Sequence, residues 1–330
     1  MRKYKVWLLR LVLPGRYGGI LTAALMLLIL VPFFRMGLTP EGTDDPPVMF
    51  FSLIPAYIIP LFKFITDRAR ESLDDLRPIL TIDDTQFHAH RDSLDSQSLG
   101  TTLTWMAAAV FFGFSHMALL RGSYPNAVEA TLGSTGGLLS TLGAVLIWIV
   151  MTTVIVKLVE QAIVFSKLGA RHTQLSLLNF QSLLPFGRVS MSASLVVFGA
   201  LMLFPLINVG EDSDLAESVP GAIAASIPLV VIFVIPVWPL HKRLKQLRES
   251  ELLSLNRQIT EKTGGGHVSA DATSTLEEIS PLLMYRQEVA RTPTWPFDLG
   301  NIARLAFYFV IIPLTWVGAA LIENVVDAFL

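Results

Sequence analysis

Apolar residues in this chain fall into long unbroken runs, not at the periods of 3.6 or 2 that mark half-buried helices and strands. Seven runs approach the roughly 17–25 residues that a helix needs to cross a bilayer. They are Tyr17–Met36, Pro47–Thr66, Thr101–Leu120, Gly137–Lys157, Met191–Val209, Gly221–Leu240 and Ile302–Ile322. The pattern predicts an all-α polytopic membrane protein with about seven transmembrane helices and helical cytoplasmic connections. It divides the chain into spans 1–2 with a basic N-terminal segment (1–66), a cytoplasmic helical loop (67–100), spans 3–4 (101–157) and a cytoplasmic connection (158–190). Spans 5–6 (191–240), a cytoplasmic helical segment (241–301) and span 7 with a short tail (302–330) complete it.

Composition strengthens this reading. Hydrophobic residues make up 52% of the chain, charged residues 16%, and the mean hydropathy is +0.56. Soluble domains carry about 25% charged residues. The absence of cysteine excludes disulfides, thiolate metal sites and a cysteine nucleophile. A basic N-terminus before an apolar core resembles a signal peptide, but the following RMGLTPEG offers no small-x-small cleavage site. A retained first helix is therefore expected.

Charge placement sets the expected orientation. The N-terminal segment and the 63–100, 157–190 and 241–304 segments hold 5, 5, 4 and 9 of the 25 Lys and Arg. Arg121 alone lies in the intervening loops, Arg35 ends the first span, and the tail after 322 has none. By the positive-inside rule the N-terminus and these segments are cytoplasmic, in an inner (cytoplasmic) membrane. The acidic stretches EGTDD (41–45) and GEDSDLAE (210–217) then face outward. The last run contains Pro313 and Gly318. One kinked helix with the C-terminus outside is the plain reading, and a re-entrant segment is the alternative.

An echo runs through the chain. LVLPGR (11–16) leads into a span closing on LILVPFF (28–34), and SLLPFGR (182–188) leads into one closing on LMLFPLI (201–207). Each is followed by an acidic loop, then by a span with an internal Ile-Pro that ends on PLFK (60–63) or PLHK (239–242). Charged segments through ARES (69–72) and LRES (247–250) follow. Spans 1–3 and 5–7 would form a parallel internal repeat, although spans three and seven are little alike.

Pro32, Pro55, Pro205, Pro228, Pro236 and Pro313 interrupt five spans. Each removes a backbone donor, and the freed carbonyl needs another partner in lipid. Such helices line pathways in carriers, or simply shape a bundle. Small residues four apart, Ala109/Gly113, Gly133/Gly137 and Ser190/Ser194, are expected at close helix contacts, within the bundle or in a homo-oligomer.

The most metal-like stretch is DDTQFHAHRD (83–92). On a helix His88 and His90 point about 200° apart, which leaves Asp84 and His88 as weak metal candidates on one face. The same stretch reads as a helix start, capped by Thr81 or Asp83, with Phe87 and Leu94 on an apolar seam. GFSH (113–116) resembles the Gly-x-Ser of an intramembrane protease, but Ser115 has no suitably placed base. His116 is a candidate pathway group, with exposure to interfacial water as the simpler account. Lys157 and Glu160 read as a surface pair with a snorkelling lysine, or as a buried coupling pair.

Lys242, Arg243, Lys245 and Arg248 follow Pro239 and are suited to anionic lipid headgroups or to topology control. They open a helix expected to run to about Ile259, with Leu252, Leu255 and Ile259 on one stripe. TGGGH (263–267) should break it. Thr275–Glu278 offers a capping box for a second helix ending before RTPTWPFD (291–298).

No P-loop, dinucleotide fingerprint or HExxH sequence is present, so an enzyme is not expected; nor is a cofactor or a nucleic-acid partner. The leading expectation is small-solute or ion permeation, with His116, Lys157, Glu160, Pro55, Pro228 and Pro236 as pathway or coupling elements. The alternative is a scaffold or sensor in the lipid bilayer, docking a cytoplasmic protein through its helical segments. A lipid-processing enzyme using the Asp83–Asp92 loop is a third reading.

Overall fold

Without water to satisfy backbone groups, apolar runs of this length close their hydrogen bonds within the segment, and helices result. The computed structural model describes residues 3–38, 46–203, 219–263 and 272–297, together with Gly300, Ala303 and Phe307. It is predominantly helical. In chain order the elements are β1 (Lys3–Lys5), α1 (Trp7–Leu11), α2 (Gly18–Leu38), α3 (Pro46–Leu76), α4 (Asp84–Ser93), β2 (Ser96–Ser98) and α5 (Leu99–Leu120). There follow α6 (Tyr124–Gly133), α7 (Thr135–Arg171), α8 (Leu184–Leu201), α9 (Val219–Val234), α10 (Trp238–Lys262) and α11 (Ala272–Arg291).

Five helices are long and apolar enough to cross a membrane, or six if the bent pair Ile227–Val234 and Trp238–Lys262 is one span. They fall on the first six sequence runs. The seventh run and both acidic stretches lie outside the described residues, apart from Ala303 and Phe307, as do Pro205 and Pro313.

Two boundaries differ from the sequence expectation. Helix α8 starts at Leu184, seven residues before the expected Met191, because Pro185 sits in the first turn where its missing N–H costs nothing. LPFGR is thus the opening turn of a helix, whereas LVLPGR ends in a turn at Gly15, whose φ is +104°. Only glycine adopts that conformation readily. The echoing sequences therefore fold differently. Helix α11 starts at Ala272, ahead of Thr275.

α3 and α7 are the centre of the bundle, and both outrun the bilayer. Their charged ends carry a second core. In the apolar half, Phe34, Phe51, Ile54, Ile58, Phe62 and Val154 pack between α2, α3, α7 and α8. Lipid is as apolar as these side chains, so close packing is what holds that half together. Leu73, Leu76, Phe87, Phe165, Phe186 and Leu240 form the second cluster. There the hydrophobic effect acts in full, at about 1.5–3 kcal/mol per large side chain removed from water.

The expected all-α chain also contains a small antiparallel ribbon, with Lys3 opposite Ser98 and Lys5 opposite Ser96. Neither segment continues a helix, so their backbone groups pair with each other. The Val6 N–H extends the tie to the Asp95 carbonyl (2.9 Å). A second tie joins the exits of α3 and α7, where the Thr81 N–H donates to His172 O (2.8 Å) and the Gln174 N–H to Ile79 O (2.8 Å).

Candidate functional site

The described residues place candidate chemistry at two levels of the bundle. The first is a cavity of about 340 Å³ between the start of α3, the end of α5 and the first half of α7. Small residues bring these helices together. Ala109 is fully buried, and a Cβ on Gly113 would sit 3.1 Å from the Val145 Cα. Gly143 has no room for one at all, because the Phe51 ring lies 2.7 Å from where it would be. Phe51 thus rests on the bare backbone of α7. Gly133, by contrast, meets nothing.

His116 and Arg121 from the α5 end, and Ser140 and Trp148 from α7, supply the polar lining. Phe50, Phe51, Met117 and Ile147 supply apolar walls. The Trp148 indole N–H donates to His116 Nδ1 at 3.4 Å. Ser115 points elsewhere: it donates to its own helix at Phe111 O (2.7 Å) and accepts from Tyr124 (2.9 Å). Pro55 lies one turn below Phe51 in α3 and deprives the Phe51 carbonyl of its α-helical donor.

The second level is a polar clamp lower on α7. Trp148 and Lys157 are nine residues apart on that helix. At a rise of about 1.5 Å per residue, that separates them by about 14 Å. The Lys157 side chain is 1% exposed, so it does not snorkel. Its Nζ donates to Ser93 O (2.7 Å), Ser96 O (2.7 Å) and Glu160 Oε2 (2.9 Å). Glu160 is 37% exposed and accepts from Gln97 through Oε1 (3.1 Å). Gln161 donates to Leu94 O (2.8 Å) and Thr66 (3.3 Å), and Arg70 pairs with Asp95. The 93–98 segment is thereby pinned against α3 and α7. A lysine ammonium satisfied by two carbonyls and a carboxylate is the arrangement that a buried cation requires.

The break between α9 and α10 is bridged by a side chain from α8. Pro236 is buried at a 41° bend, and the Ser190 hydroxyl of α8 donates to the Phe233 carbonyl at the break. Segment 292–297 closes over this bend. The His241 ring stacks on Trp295 at 4.0 Å, and Phe233 stacks on Phe297 at 5.2 Å. Pro228 is half-buried further along α9.

Most of the remaining candidates have structural partners. Asp83 caps α4 by accepting from Gln86 N (2.6 Å). Asp84 accepts from Arg77, whose hydrogen bond and charge hold its carboxyl below the usual range, and His88 is exposed. His90 is pushed below the usual histidine range by burial, then by His172, Lys167 and Lys3. Among the described residues no group of three or more His, Asp or Glu side chains is arranged to hold a metal. In the basic cluster Arg243 donates to Gly169 O (2.7 Å) and Thr173 O (3.2 Å), and Arg248 to Thr292 O (3.2 Å). Lys242 is exposed and Lys245 faces Glu249 at 3.9 Å, so these two are the members presented outward.

The sequence points to His116, Lys157 and Glu160, but not to Trp148, Ser140, Gln97 or Gln161. Gln161 carries a signal: Lys157, Glu160 and Gln161 share one helical face at i, i+3 and i+4. Trp148 and Ser140 carry none, since their role depends on a helix pairing.

The chain matches no protein-family model, and no match was found among curated proteins or solved structures.

Proposed function

We propose that this protein is a seven-span protein of a bacterial-type inner membrane that mediates permeation of a small solute. Its N-terminus lies in the cytoplasm and its last span ends outside. The observation that carries the reading is the cavity of about 340 Å³ at the end of the bundle away from the charged helix extensions. It lies within the range of roughly 300–1,000 Å³ typical of ligand sites and combines apolar walls with a few polar groups. The packed core and the Lys157 clamp fill the bundle beneath it.

Orientation is supported by the charged ends of α3, α7 and α10, which gather at one end and carry 12 of the 25 Lys and Arg. The seventh span is supported by the run at 302–322 alone. The parallel repeat is supported at the level of helix pairs. α2 packs on α3 as α8 packs on α9, and α3 and the α9–α10 pair each continue into a charged helix.

Proteoliposome flux tests the reading. Wild type should pass at least one solute from a broad panel, Ser140→Phe should block it by filling the cavity, and Pro228→Ala plus Pro236→Ala should slow it. Folded, oriented protein with no flux for any solute or ion would refute permeation. The docking reading would then lead. It rests on the α10–α11 hairpin, where Leu253 and Met284 are 70% and 68% exposed. Both lie near the level at which Tyr285 meets Glu251 and Arg286 meets Asn256.

A further inference from the structure

Three polar groups of the cavity, on His116, Arg121 and Ser140, each carry a hydrogen-bond donor, and the fourth, the Trp148 N–H, is spent within the site. An indole N–H can only donate, so the Trp148 contact uses His116 Nδ1 as an acceptor and leaves Nε2 as the N–H nitrogen. Among the described residues that Nε2 has no hydrogen-bond partner. Arg121, at the mouth, is exposed and makes no ion pair among the described residues. Its guanidinium carries donors only. The Ser140 hydroxyl adds another donor, and no carboxylate among the described residues lines the space. Beyond these groups the walls are apolar, with the Phe50 and Phe51 rings on one side and Met117 and Ile147 on the other.

We propose that this cavity binds an amphipathic anion, its acidic head held by Arg121 and His116 and its apolar body laid against Phe51 and Trp148. The inference rests on reading the cavity as a solute site, and adds the ligand class. Size narrows the class further. The space measures about 340 Å³. At roughly 30 Å³ per water-sized unit, it takes about ten to twelve non-hydrogen atoms. That suits a carboxylate on a chain of about eight carbons. It also suits the acidic head and first acyl segment of an anionic lipid, whose tail would leave between the helices. A guanidinium pairs with a carboxylate or a phosphate by the same charge-assisted, two-pronged hydrogen bonds.

The test uses the full chain in nanodiscs of zwitterionic lipid, with octanoate and 1-octanol as probes of equal chain length. Octanoate should bind at least about tenfold more tightly than octanol, as one charge-assisted pair implies. Arg121→Gln should erase that preference while octanol binding survives, which also shows the variant to be folded. Arg121→Lys should retain part of the preference. Nanodiscs containing phosphatidylglycerol then separate the sources. Competition with octanoate identifies a lipid occupant, and unchanged octanoate binding identifies a free solute; the anion site stands in both cases. Equal binding of octanoate and octanol, no binding of either, or a preference untouched by Arg121→Gln would overturn it. Anion-selective binding without flux would sink the permeation proposal and leave this one standing. Flux of neutral or cationic solutes alone, without anion binding, would do the reverse.

Discussion

Lys157→Met removes the ammonium at the centre of the polar clamp while keeping most of the side-chain volume. Two backbone carbonyls, those of Ser93 and Ser96, lose their donor at 2.7 Å each. Both residues are half-buried. A buried acceptor left unsatisfied costs about 1–3 kcal/mol, so for each of these half-buried carbonyls the low end, about 1–1.5 kcal/mol, applies. The loss is then about 2–3 kcal/mol for opening the 93–98 segment. Because about 1.4 kcal/mol is a factor of ten, hydrogen exchange of the 94–98 amides should rise by about 30- to 100-fold. The partner substitution separates the ion pair from the carbonyl bonds. Glu160→Gln leaves Lys157 with its two carbonyls but without its counter-charge. Glu160 is 37% exposed, so a cost of only about 1–2 kcal/mol is expected. In the double variant the two costs should not add, since the two side chains share a hydrogen bond and hold the same segment. Exchange mass spectrometry in detergent micelles reads all three. Unchanged protection of 94–98 in Lys157→Met, in protein that is otherwise native, would refute the clamp.

Other outcomes follow from the region around the proline bend and from the charged end of the bundle. Gly187→Ala would put a Cβ 2.0 Å from the Pro296 carbonyl oxygen. Segment 292–297 should therefore lift, at a cost of about 1–3 kcal/mol, and Trp295 fluorescence should shift to the red. Ser190→Ala leaves the Phe233 carbonyl at the bend without its hydroxyl donor. The thermal midpoint should fall by the equivalent of about 1–2 kcal/mol. His90 has its folded pKa held below the ordinary 6.5, by burial and then by His172, Lys167 and Lys3. The unfolded chain therefore binds the proton more readily, and stability falls as pH drops through 6.5. Thermal midpoints measured from about pH 7.5 to about pH 5.5 should show that decline, and His90→Gln should flatten it.

The membrane-crossing helices are legible because a long apolar run has few other solutions in lipid. Six of the runs fall on α2, α3, α5, α7, α8 and the α9–α10 pair without any knowledge of contacts. The burial of Lys157 is not legible. Its position at the end of an apolar run suits a snorkelling residue equally well, and what buries it is a loop about sixty residues earlier in the chain. The same holds for RTPTWPFD, which announces the end of a helix but not the aromatic stack it builds with Phe233 and His241. His116 stands out as the ionisable group in its span, yet its tautomer depends on Trp148, which no local pattern links to it. The start of α8 is hidden because glycine and arginine suit a membrane boundary as well as they suit a first helical turn. Gly187 is the point where another segment's backbone passes over a helix.

Among the long helices, α7 has a particular mechanical consequence. It is 37 residues long without a proline. At a rise of about 1.5 Å per residue it extends about 56 Å, against a hydrocarbon layer of about 30 Å. Ser140 and Trp148 lie on one stretch of this rod and Lys157 on another, with no hinge between them, whereas α9 and α10 meet at a bend. A tilt of about 5° would sweep one end of such a rod by roughly 5 Å relative to the other. Events at the cavity and at the Lys157 clamp are therefore geared together through a lever, and α7 cannot move at one end while standing still at the other.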